Sequence, residues 1–477
     1  MSKHEKFHYK SANELITKAK DLDVDLPWSD SIEALLQPAV IQGIEVPNRL
    51  TVQPMEGFDS DENGAPGELA FRRYGRYAAG GSGMIWCEAT SMVSDGRSNP
   101  HQLMITKDTV QQFRKLTDHI RKIAGDTYGP KHRPFLVLQL THSGRYAKPG
   151  GDFHPKIFSE NPYLDNRQPT TDNRLPDPPH PLTPSPALAP LTGEGERPRS
   201  TDNRKLTTDN RQQKLYSDIE LDNIKSAYIE AIGLAELAGF DAVDVKACHG
   251  YLLHEMLFAY DRTDSRYGGS FEGRTRFLAD VLKTPASLVK AVRLSGTDLI
   301  PWPYGFGMKP DGSMDIDLTE VKKLIARFSP MVPLWNITAG VPHHSAHIGR
   351  PYNRGVFNAP PPEEHPLTGI NRLIRITGQL QQVFPELHFV GTAYSWLRQF
   401  YPNVGAGAIN LKKVSFIGLG RSSFAYPDAP RDLMEKGKLD PKKVCLSCSK
   451  CTEFMRMGIP TGCAVRDKSI YKKETSI

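Results

Sequence analysis

Eight short runs of apolar and β-branched residues recur along the chain, and longer stretches of mixed polarity separate them. Each run is almost continuously apolar, which is typical of a strand buried on both faces of a parallel sheet. Eight such strands in alternation with helices predict an α/β fold, a (β/α)₈ TIM barrel. The runs cover residues 49–55, 83–90, 134–142, 240–249, 287–295, 332–340, 387–393 and 414–421.

Two of the intervening stretches have a strong helical pattern. In segment 217–239, Ser217 is suited to cap a helix, Glu220 stands where a capping box requires it, and Gly239 can end the helix. Residues 317–328 also show helical spacing of apolar residues. We therefore predict helices over both ranges, alternating with the strands of the barrel.

One segment, at about residues 161–213, breaks this alternation. It is rich in Pro, Thr, Asp, Asn and Arg, and the tetrapeptide TDNR occurs three times in it. Such a polar repeat is too short to bury a core, so we predict a disordered insertion after the third strand, with a functional lid as the alternative. The predicted organisation is an N-terminal extension over 1–34, the interrupted barrel over 35–430, and a cysteine-bearing segment over 431–477.

Composition excludes several classes of protein. The N-terminus, MSKHEKFHYK, lacks the apolar stretch of a signal peptide, and no run reaches the roughly 18 apolar residues of a membrane span. The net charge of +6 is modest for 477 residues and gives no nucleic-acid footprint. Cys87 and Cys248 lie in apolar runs, where buried free thiols are common, so a reducing cytoplasm is the expected location.

A barrel of this kind carries its active site at the carboxyl ends of its strands. Polar or small residues follow most of the apolar runs at that end. Each alone could be a satisfied polar group of the core, but together on one face they predict a site. They are Met55 and Glu56; Glu88 and Ala89; Gln139 and His142; Lys246, His249 and Tyr251; Arg293; Gly391 and Thr392; and Gly420 and Arg421.

The chemistry of these residue types suggests separate roles. Small residues at the ends of the last two strands let backbone N–H groups approach a phosphate, with Arg421 to pair with it. Gln139 offers a donor and an acceptor to the uracil-like edge of a flavin, and Arg293 can stabilise negative charge near flavin N1. His249 can donate a hydrogen bond to a substrate carbonyl, and Tyr251 can deliver a proton.

Four of the six cysteines fall within nineteen residues near the C-terminus. Their spacing is C-x₂-C-x₂-C-x₁₁-C, at Cys445, Cys448, Cys451 and Cys463. Four closely spaced thiolates suit a [4Fe–4S] cluster. Zinc is the main alternative, although structural zinc more often uses two separated C-x₂-C pairs, and a segment without metal is the third reading.

The cysteine-bearing segment is also basic. Residues 431–477 contain eleven Lys and Arg against six Asp and Glu, a net charge of +5. A solvated tail is one interpretation. The other is a surface that attracts an acidic electron carrier of the ferredoxin or flavodoxin type.

Several long motifs in order resemble the old yellow enzyme family of FMN-dependent oxidoreductases. They include VPNRLTVQPM, LQLTHSGR, AGFDAVDVKACHGYLLHEML and IGLGRSSFAYPD, and the resemblance covers roughly residues 35–430 outside the insertion. It implies a (β/α)₈ barrel with FMN at its top and a set of residue roles. Pro54, Met55, Ala89 and Gln139 would line the isoalloxazine; Arg293 would lie near N1 and O2; Gly391, Gly420 and Arg421 would hold the phosphate; His249 would bind a carbonyl or anion; and Tyr251 would be the proton donor of an ene-reductase.

The sequence departs from the family pattern at three positions. Lys246 stands where a His is usual, Glu56 where Thr or Cys is usual, and Gly273 where Asn is usual. The cysteine spacing resembles an iron–sulfur subset of the family that includes trimethylamine dehydrogenase and bacterial 2,4-dienoyl-CoA reductase. Those enzymes continue into FAD- and nucleotide-binding domains. This chain ends fourteen residues after Cys463, so we expect its electron partner to be a separate protein.

The function expected from these observations is reduction of an activated C=C bond in a small-molecule enone or enoate. Hydride would come from FMN, the proton from Tyr251, and carbonyl polarisation from His249 and Lys246, with NAD(P)H as a possible donor. The alternative is oxidative dehydrogenation or demethylation of an amine or another small substrate, with electrons leaving through the cluster. A barrel without catalytic activity is the minor alternative. The oligomeric state stays open, a homo-oligomer included.

Overall fold

The structure is a computed structural model that describes residues 4–151, 156–165 and 214–471. Eight parallel strands close into a barrel in which each strand pairs with the next along the chain. The predicted fold is therefore confirmed, and each strand falls inside one of the apolar runs. The strands are β1 (Leu50–Val52), β2 (Met84–Thr90), β3 (Phe135–Leu140), β4 (Ala242–Ala247), β5 (Val289–Ser295), β6 (Leu334–Thr338), β7 (His388–Gly391) and β8 (Phe416–Leu419).

A main helix follows each strand and packs outside the barrel. The capping box of Ser217 and Glu220 is present, and both predicted helices form, over Asp218–Leu237 and Thr319–Phe328. The eight helices are α1 (Glu68–Ala79), α2 (Val110–Tyr128), α3 (Asp218–Leu237), α4 (Arg276–Leu282), α5 (Thr319–Phe328), α6 (Pro366–Val383), α7 (Tyr401–Asn410) and α8 (Ala429–Lys436).

Shorter elements complete the fold. An antiparallel hairpin of Ala39–Ile41 and Ile44–Val46 packs against the apolar starts of the barrel strands and covers that end of the barrel. Lys156–Ile157 pairs with Lys214–Leu215. Short α-helices span Ala12–Asp21, Glu33–Leu36, Pro162–Asp165, Leu252–Leu257, Phe271–Arg274, Ala346–Gly349, Arg421–Ala425 and Lys450–Met457, and 3₁₀ turns span Ser94–Gly96, Gly144–Tyr146, Val356–Asn358 and Tyr394–Phe400.

Both ends of the chain pack on the barrel and meet at Asn353, in the loop after β6. Its Oδ1 accepts hydrogen bonds from the Phe7 backbone N–H at 2.9 Å and from Trp396 Nε1 at 2.7 Å. Its backbone N–H donates to Ser447 O at 2.9 Å, and its Nδ2 donates to Leu446 O at 2.8 Å. One amide residue therefore ties the N-terminal extension to the cysteine-bearing segment.

Three further predictions concern the whole chain. Cys87 and Cys248 are buried free thiols, as expected. Among the residues that the structure describes, no helix is long and apolar enough to cross a membrane. The predicted insertion begins at about residue 161; its first five residues are described, with Asn161 buried and a short helix over Pro162–Asp165, and residues 166 to 213 lie outside the described residues. The boundaries of the three predicted segments stay a prediction.

Candidate active site

Asp244, in the middle of β4, connects β2, β3 and β5 through hydrogen bonds inside the barrel. Its Oδ2 accepts hydrogen bonds from Trp86 Nε1 at 2.8 Å and from Gln139 Nε2 at 2.6 Å. Its Oδ1 accepts one from the Arg293 backbone N–H at 2.7 Å. Burial raises the pKa of Asp244 to about 6, against these hydrogen bonds and the charge of Arg293. The carboxylate thereby fixes side chains and backbone from three neighbouring strands.

The bond to Asp244 decides what Gln139 can offer. Its amide nitrogen is engaged, and its Oε1 is buried without a hydrogen-bond partner among the described residues. The Nε of Arg293 is likewise buried and has no hydrogen-bond partner among the described residues. A buried acceptor and a buried donor without partners are rare in proteins unless a ligand completes them. The N3–H of a flavin suits Gln139 Oε1, and its O2 and N1 suit Arg293, so these residues fit the predicted group.

A cluster of buried charged groups lies next to these two side chains. Lys246 and Arg293 occupy paired positions on β4 and β5. Burial lowers the pKa of Lys246, and the nearby Glu56 opposes that shift. Burial likewise raises the pKa of Glu56, opposed by Lys246 and Arg293, and Gln102 Nε2 donates to Glu56 Oε1 at 3.3 Å. Two basic side chains thus lie near two buried carboxyl groups, Glu56 and Asp244, whose negative charge burial disfavours.

The loop after β4 carries His249, the residue predicted to bind a carbonyl, and Tyr251, the predicted proton donor. His249 has a φ of +66°, and its Nε2 lies 3.1 Å from Thr338 Oγ1 at the end of β6. Burial, followed by the charges of Arg293 and Lys246, holds the pKa of His249 well below its usual range, so the imidazole is neutral. Burial and Glu56 raise the pKa of Tyr251 well above its usual range, which keeps its phenol protonated. Lys246 Nζ lies 3.5 Å from the centroid of the Tyr251 ring.

Two other strand-end residues have supporting positions. Glu88 accepts hydrogen bonds from the Gly57 backbone N–H at 2.5 Å and from the Tyr74 hydroxyl at 3.0 Å, and it forms a buried ion pair with Arg73. Glu88 therefore holds the turn that carries Glu56. His142 accepts from the Gly144 N–H at 3.1 Å and packs edge-on against Tyr216, outside the group around Asp244.

The ends of β7 and β8 form a close-fitting cradle. A Cβ at Gly391 would lie 2.9 Å from Val414, and one at Gly420 would lie 3.0 Å from Met55 Sδ. Thr392 Oγ1 and Arg421 Nη1 are buried and have no hydrogen-bond partner among the described residues, while Arg421 Nη2 donates to Pro351 O at 2.7 Å. Two such donors beside small residues fit an anion of the size of phosphate.

The four predicted metal ligands surround one pocket. Cys445, Cys448, Cys451 and Cys463 all line it, together with Arg421. Backbone N–H groups donate to two of the sulfurs, from Ser447 to Cys445 at 3.3 Å and from Arg466 to Cys463 at 3.3 Å. Across the described ranges, no group of three or more His, Cys, Asp or Glu side chains is arranged to hold a metal ion.

Sequence reasoning missed several residues of the site. Asp244 lies two residues before Lys246 in the same strand, so strand alternation places both side chains on one face, and this signal was available. Tyr146, whose ring contacts Tyr251 edge-on at 5.9 Å, comes from the loop after β3 and carries no such signal. The predicted residues Pro54, Met55 and Ala89 do lie at the ends of β1 and β2.

The barrel fold, together with the buried acceptor of Gln139 and the buried donor of Arg293, defines a barrel of the flavoprotein class. The family comparison agrees. The chain belongs to the NADH:flavin oxidoreductase / NADH oxidase family, whose pattern matches residues 34–300, more than half of its length. The resemblance to old yellow enzyme is thereby confirmed.

Individual relatives are distant. An NADH:flavin oxidoreductase of Gibberella zeae is 26% identical over 298 residues, which cover 61% of this chain and 63% of that protein. The dimethylamine dehydrogenase of a Hyphomicrobium species is 28% identical over 244 residues, 50% of this chain and 29% of that protein. A solved complex of 2-naphthoyl-CoA reductase with 2-naphthoyl-CoA has a TM-score of 0.63 at 18% identity, covering 91% of this chain and 57% of that one, which is a likeness of fold. The chain thus spans less than two thirds of the length of each of these proteins.

Proposed function

We propose that the protein is an FMN-dependent oxidoreductase that reduces the C=C bond of a small α,β-unsaturated carbonyl compound or carboxylate. The observation that carries this proposal is the placement of Lys246 Nζ 3.5 Å from the centroid of the Tyr251 ring, with His249 two residues before Tyr251 in the same loop. Burial raises the pKa of the Tyr251 phenol, which favours its role as a proton donor. A proton donor next to hydrogen-bond donors for an oxyanion is what conjugate reduction requires.

FMN supplies hydride transfer when it is bound. Gln139 Oε1 and Arg293 would hold its pyrimidine edge, and Thr392 with Arg421 would hold its phosphate, since each of these side chains has a buried polar atom without a partner among the described residues. NAD(P)H is the proposed donor, in keeping with the family. Glu56 and Lys246 lie near Arg293 and would set the charge around the pyrimidine edge of the flavin.

The substrate oxygen is proposed to accept hydrogen bonds from His249 Nε2 and Lys246 Nζ. A protonated amine is a stronger partner for a developing oxyanion than a neutral imidazole, and the nearby Glu56 and the oxyanion itself both favour the protonated form of Lys246 against the effect of burial. Lys246 therefore favours substrates whose oxygen becomes or already is negatively charged. Tyr251, with its ring over the Lys246 ammonium group, is then the proton donor to the substrate carbon that does not receive hydride.

The test is anaerobic reduction of 2-cyclohexenone and of cinnamate by the NADPH-reduced protein. Tyr251→Phe is expected to slow C=C reduction by about a hundredfold or more, since general acid catalysis contributes roughly 10²–10⁴. FMN content, read from visible absorbance, is the control for an intact site. An unchanged rate in Tyr251→Phe with full FMN would remove the proposed role, and a wild-type protein with FMN but no turnover would favour a barrel without catalytic activity.

Oxidative dehydrogenation of an amine is the second candidate, and the similarity to a dimethylamine dehydrogenase favours it. Incubation with dimethylamine and related amines distinguishes the two, since bleaching of the flavin by an amine supports this candidate. An ene-reductase would stay oxidised under the same conditions.

We further propose that Cys445, Cys448, Cys451 and Cys463 bind a [4Fe–4S] cluster. The support is that all four thiols line one pocket, that backbone N–H groups donate to two of them, and that the Arg421 guanidinium lies beside them. A cluster with thiolate ligands is anionic, and such donors and cations stabilise it. Anaerobic purification followed by iron and sulfide assays tests this, with about four of each per chain expected. Zinc in place of iron would overturn it.

An acidic electron carrier of the ferredoxin or flavodoxin type is the proposed partner. Lys450 and Arg466 line the cysteine pocket and are exposed. Three acidic groups of this segment, Asp432, Glu453 and Asp467, are buried and form ion pairs, whereas Glu435 is exposed on α8 and does not line the pocket. The surface over the pocket is consequently basic, and basic surfaces steer acidic proteins.

Electron transfer from reduced ferredoxin tests that surface. The double variant Lys450→Glu with Arg466→Glu is expected to slow transfer and to flatten its salt dependence, because screening then has less attraction to remove. Lys122→Glu, on the exposed side of α2, is the matched control. If the double variant behaves like the control, the proposed docking surface is wrong. A cytoplasmic location and a homo-oligomer stay predictions.

A further inference from the structure

Two buried titratable side chains, His254 and Asp298, lie behind the loop that carries His249 and Tyr251. His254 belongs to the short helix Leu252–Leu257, which begins directly after Tyr251, and Asp298 lies in the loop after β5. Both side chains are 0% exposed. The proposed reaction uses neither of them, and a buried pair of this kind needs a reason to be there.

Hydrogen bonds determine the state of the His254 ring. Its Nδ1 accepts from the Gly250 backbone N–H at 2.8 Å, so Nδ1 carries no proton. The ring proton of the neutral imidazole is therefore on Nε2, which lies 3.4 Å from Asp298 Oδ1, close to it but without a hydrogen bond between the two atoms. Asp298 Oδ2 in turn accepts from the Phe306 N–H at 2.8 Å, and the Asp298 N–H donates to Phe306 O at 2.9 Å. The carboxylate is thus anchored to its own loop.

The loop held by His254 has an unfavourable backbone. His249 and Gly250 are both left-handed, with φ of +66° and +76°. A non-glycine residue adopts this region only when its surroundings impose it. Gly250 is also tightly enclosed, since a Cβ there would lie 2.8 Å from Val341 and 3.1 Å from Tyr146. The bond from Gly250 N–H to His254 is the side-chain contact that fastens this stretch from behind.

The ring of His254 is itself fixed in place. Phe258 and Phe306 meet it edge-on, with ring centroids at 5.3 Å and 6.3 Å and interplanar angles of 89° and 87°. Packing from two elements and a carboxylate on a third therefore leave the ring a single orientation. The support therefore runs from Asp298 in the loop after β5, through His254, to Gly250, which lies between His249 and Tyr251.

We propose that His254 and Asp298 are positioning residues, which hold the His249–Tyr251 loop so that the Tyr251 hydroxyl reaches the substrate carbon. This inference rests on the proposed C=C reduction. Asp298 acts through His254 by keeping the ring proton on Nε2, which leaves Nδ1 free to accept from Gly250. Neither residue touches the substrate.

Two substitutions at His254 separate positioning from packing. His254→Asn retains an acceptor near the position of Nδ1, whereas His254→Leu fills a similar volume without a polar atom. Hydrogen–deuterium exchange of the peptide containing Gly250, in the FMN-loaded protein, is expected to stay slow in His254→Asn and to accelerate about tenfold or more in His254→Leu, as loss of a buried hydrogen bond predicts. Equal exchange in the two variants would overturn the inference.

The second readout is the anaerobic reduction of 2-cyclohexenone in H₂O and D₂O. His254→Leu is expected to slow it by about tenfold to a hundredfold, as a misplacement near 1 Å does, and to increase the solvent isotope effect because proton transfer becomes the slow step. His254→Asn is expected to lie near wild type in both measures. A slower reaction with an unchanged isotope effect would show that His254 has only a structural role.

Asp298→Asn and a matched control complete the test. Asparagine has one oxygen for two donors, so it either leaves the Phe306 N–H unpaired or turns its amide toward His254 and favours the wrong tautomer; it is expected to behave like His254→Leu. The control is His365→Leu, because His365 is also buried, accepts from a backbone N–H at 3.1 Å and faces a carboxylate, but at the start of α6. It should lower thermal stability without changing the isotope effect.

Failure of the reaction and failure of the positioning role give different results. If wild-type protein reduces no C=C bond, the proposed function and the inference fall together, whatever the exchange data. If the wild type does reduce 2-cyclohexenone while His365→Leu and His254→Leu have the same isotope effect, only the positioning role fails.

Discussion

Replacement of Asp244 by Asn tests whether one buried carboxylate connects three strands through hydrogen bonds inside the barrel. Asp244 accepts hydrogen bonds from Trp86, Gln139 and the Arg293 N–H. Asparagine has one oxygen, so in either orientation at least one of these donors faces an NH₂ group. Each buried donor left without a partner costs about 1–3 kcal/mol. Asp244→Asn is therefore expected to be less stable than wild type at low pH.

The same substitution removes a buried ionisation, and this gives the prediction its pH dependence. Burial raises the pKa of Asp244 from 3.8 to about 6, so the folded protein binds the proton more tightly than the unfolded chain. This contribution to stability is fully present below pH 3.8 and is lost as the pH rises through about 6. The full loss is about 3 kcal/mol, of which about 2 kcal/mol falls between about pH 4.5 and pH 7.5.

Chemical denaturation of both proteins across that pH range measures the difference directly. The stability of Asp244→Asn relative to wild type should improve by about 2 kcal/mol from the acidic to the neutral end, because the variant lacks the titrating group. Other carboxyl groups titrate equally in both proteins and cancel. Asp126→Asn, at an exposed position on α2, is the control for the loss of a carboxyl group that is not buried. A flat difference for Asp244→Asn would refute the reasoning, since the carboxylate would then ionise equally in both states.

Three further predictions follow from other parts of the site. Arg421→Gln should weaken FMN binding by at least about tenfold, because a charge-assisted contact to phosphate contributes roughly 1.5–3 kcal/mol, and fluorescence titration with free FMN measures this. Asp467→Asn removes the partner of Arg72 and Arg76; limited proteolysis should then release the cysteine-bearing segment sooner, while the barrel stays resistant. Gly418→Ala should destabilise the protein by about 3 kcal/mol or more in thermal unfolding, because the added methyl group would collide with the buried Gln53 side chain and lie 2.6 Å from Gly391 O.

The barrel was predictable because its strands are buried on both faces, which leaves an unbroken apolar run for each of them. The residues at which the strands begin and end were less predictable. The first run covers residues 49–55, but β1 ends at Val52. The backbone N–H of Gln53 still donates to Leu419 O at 3.0 Å, and its side chain pairs with Asn336 through two amide hydrogen bonds. Such a pair, 283 residues apart in sequence, has no local signal.

The residues of the site likewise divide into those that the sequence predicts and those that it does not. Residues at the ends of strands, such as Lys246 and Arg293, follow from the barrel geometry, because neighbouring parallel strands end together. Contacts made by loops do not follow from it. His254 and Asp298 meet because the loops after β4 and β5 converge, and no spacing in the sequence records that path.

The four contacts at Asn353 have a consequence for how the molecule is made and handled. Asn353 receives the N-terminal extension at Phe7 and the cysteine-bearing segment at Leu446 and Ser447. During synthesis on the ribosome, the set of contacts at Asn353 is therefore completed only when the cysteine-bearing segment emerges. A substitution at Asn353 is therefore expected to loosen the N-terminal extension and the cysteine-bearing segment together.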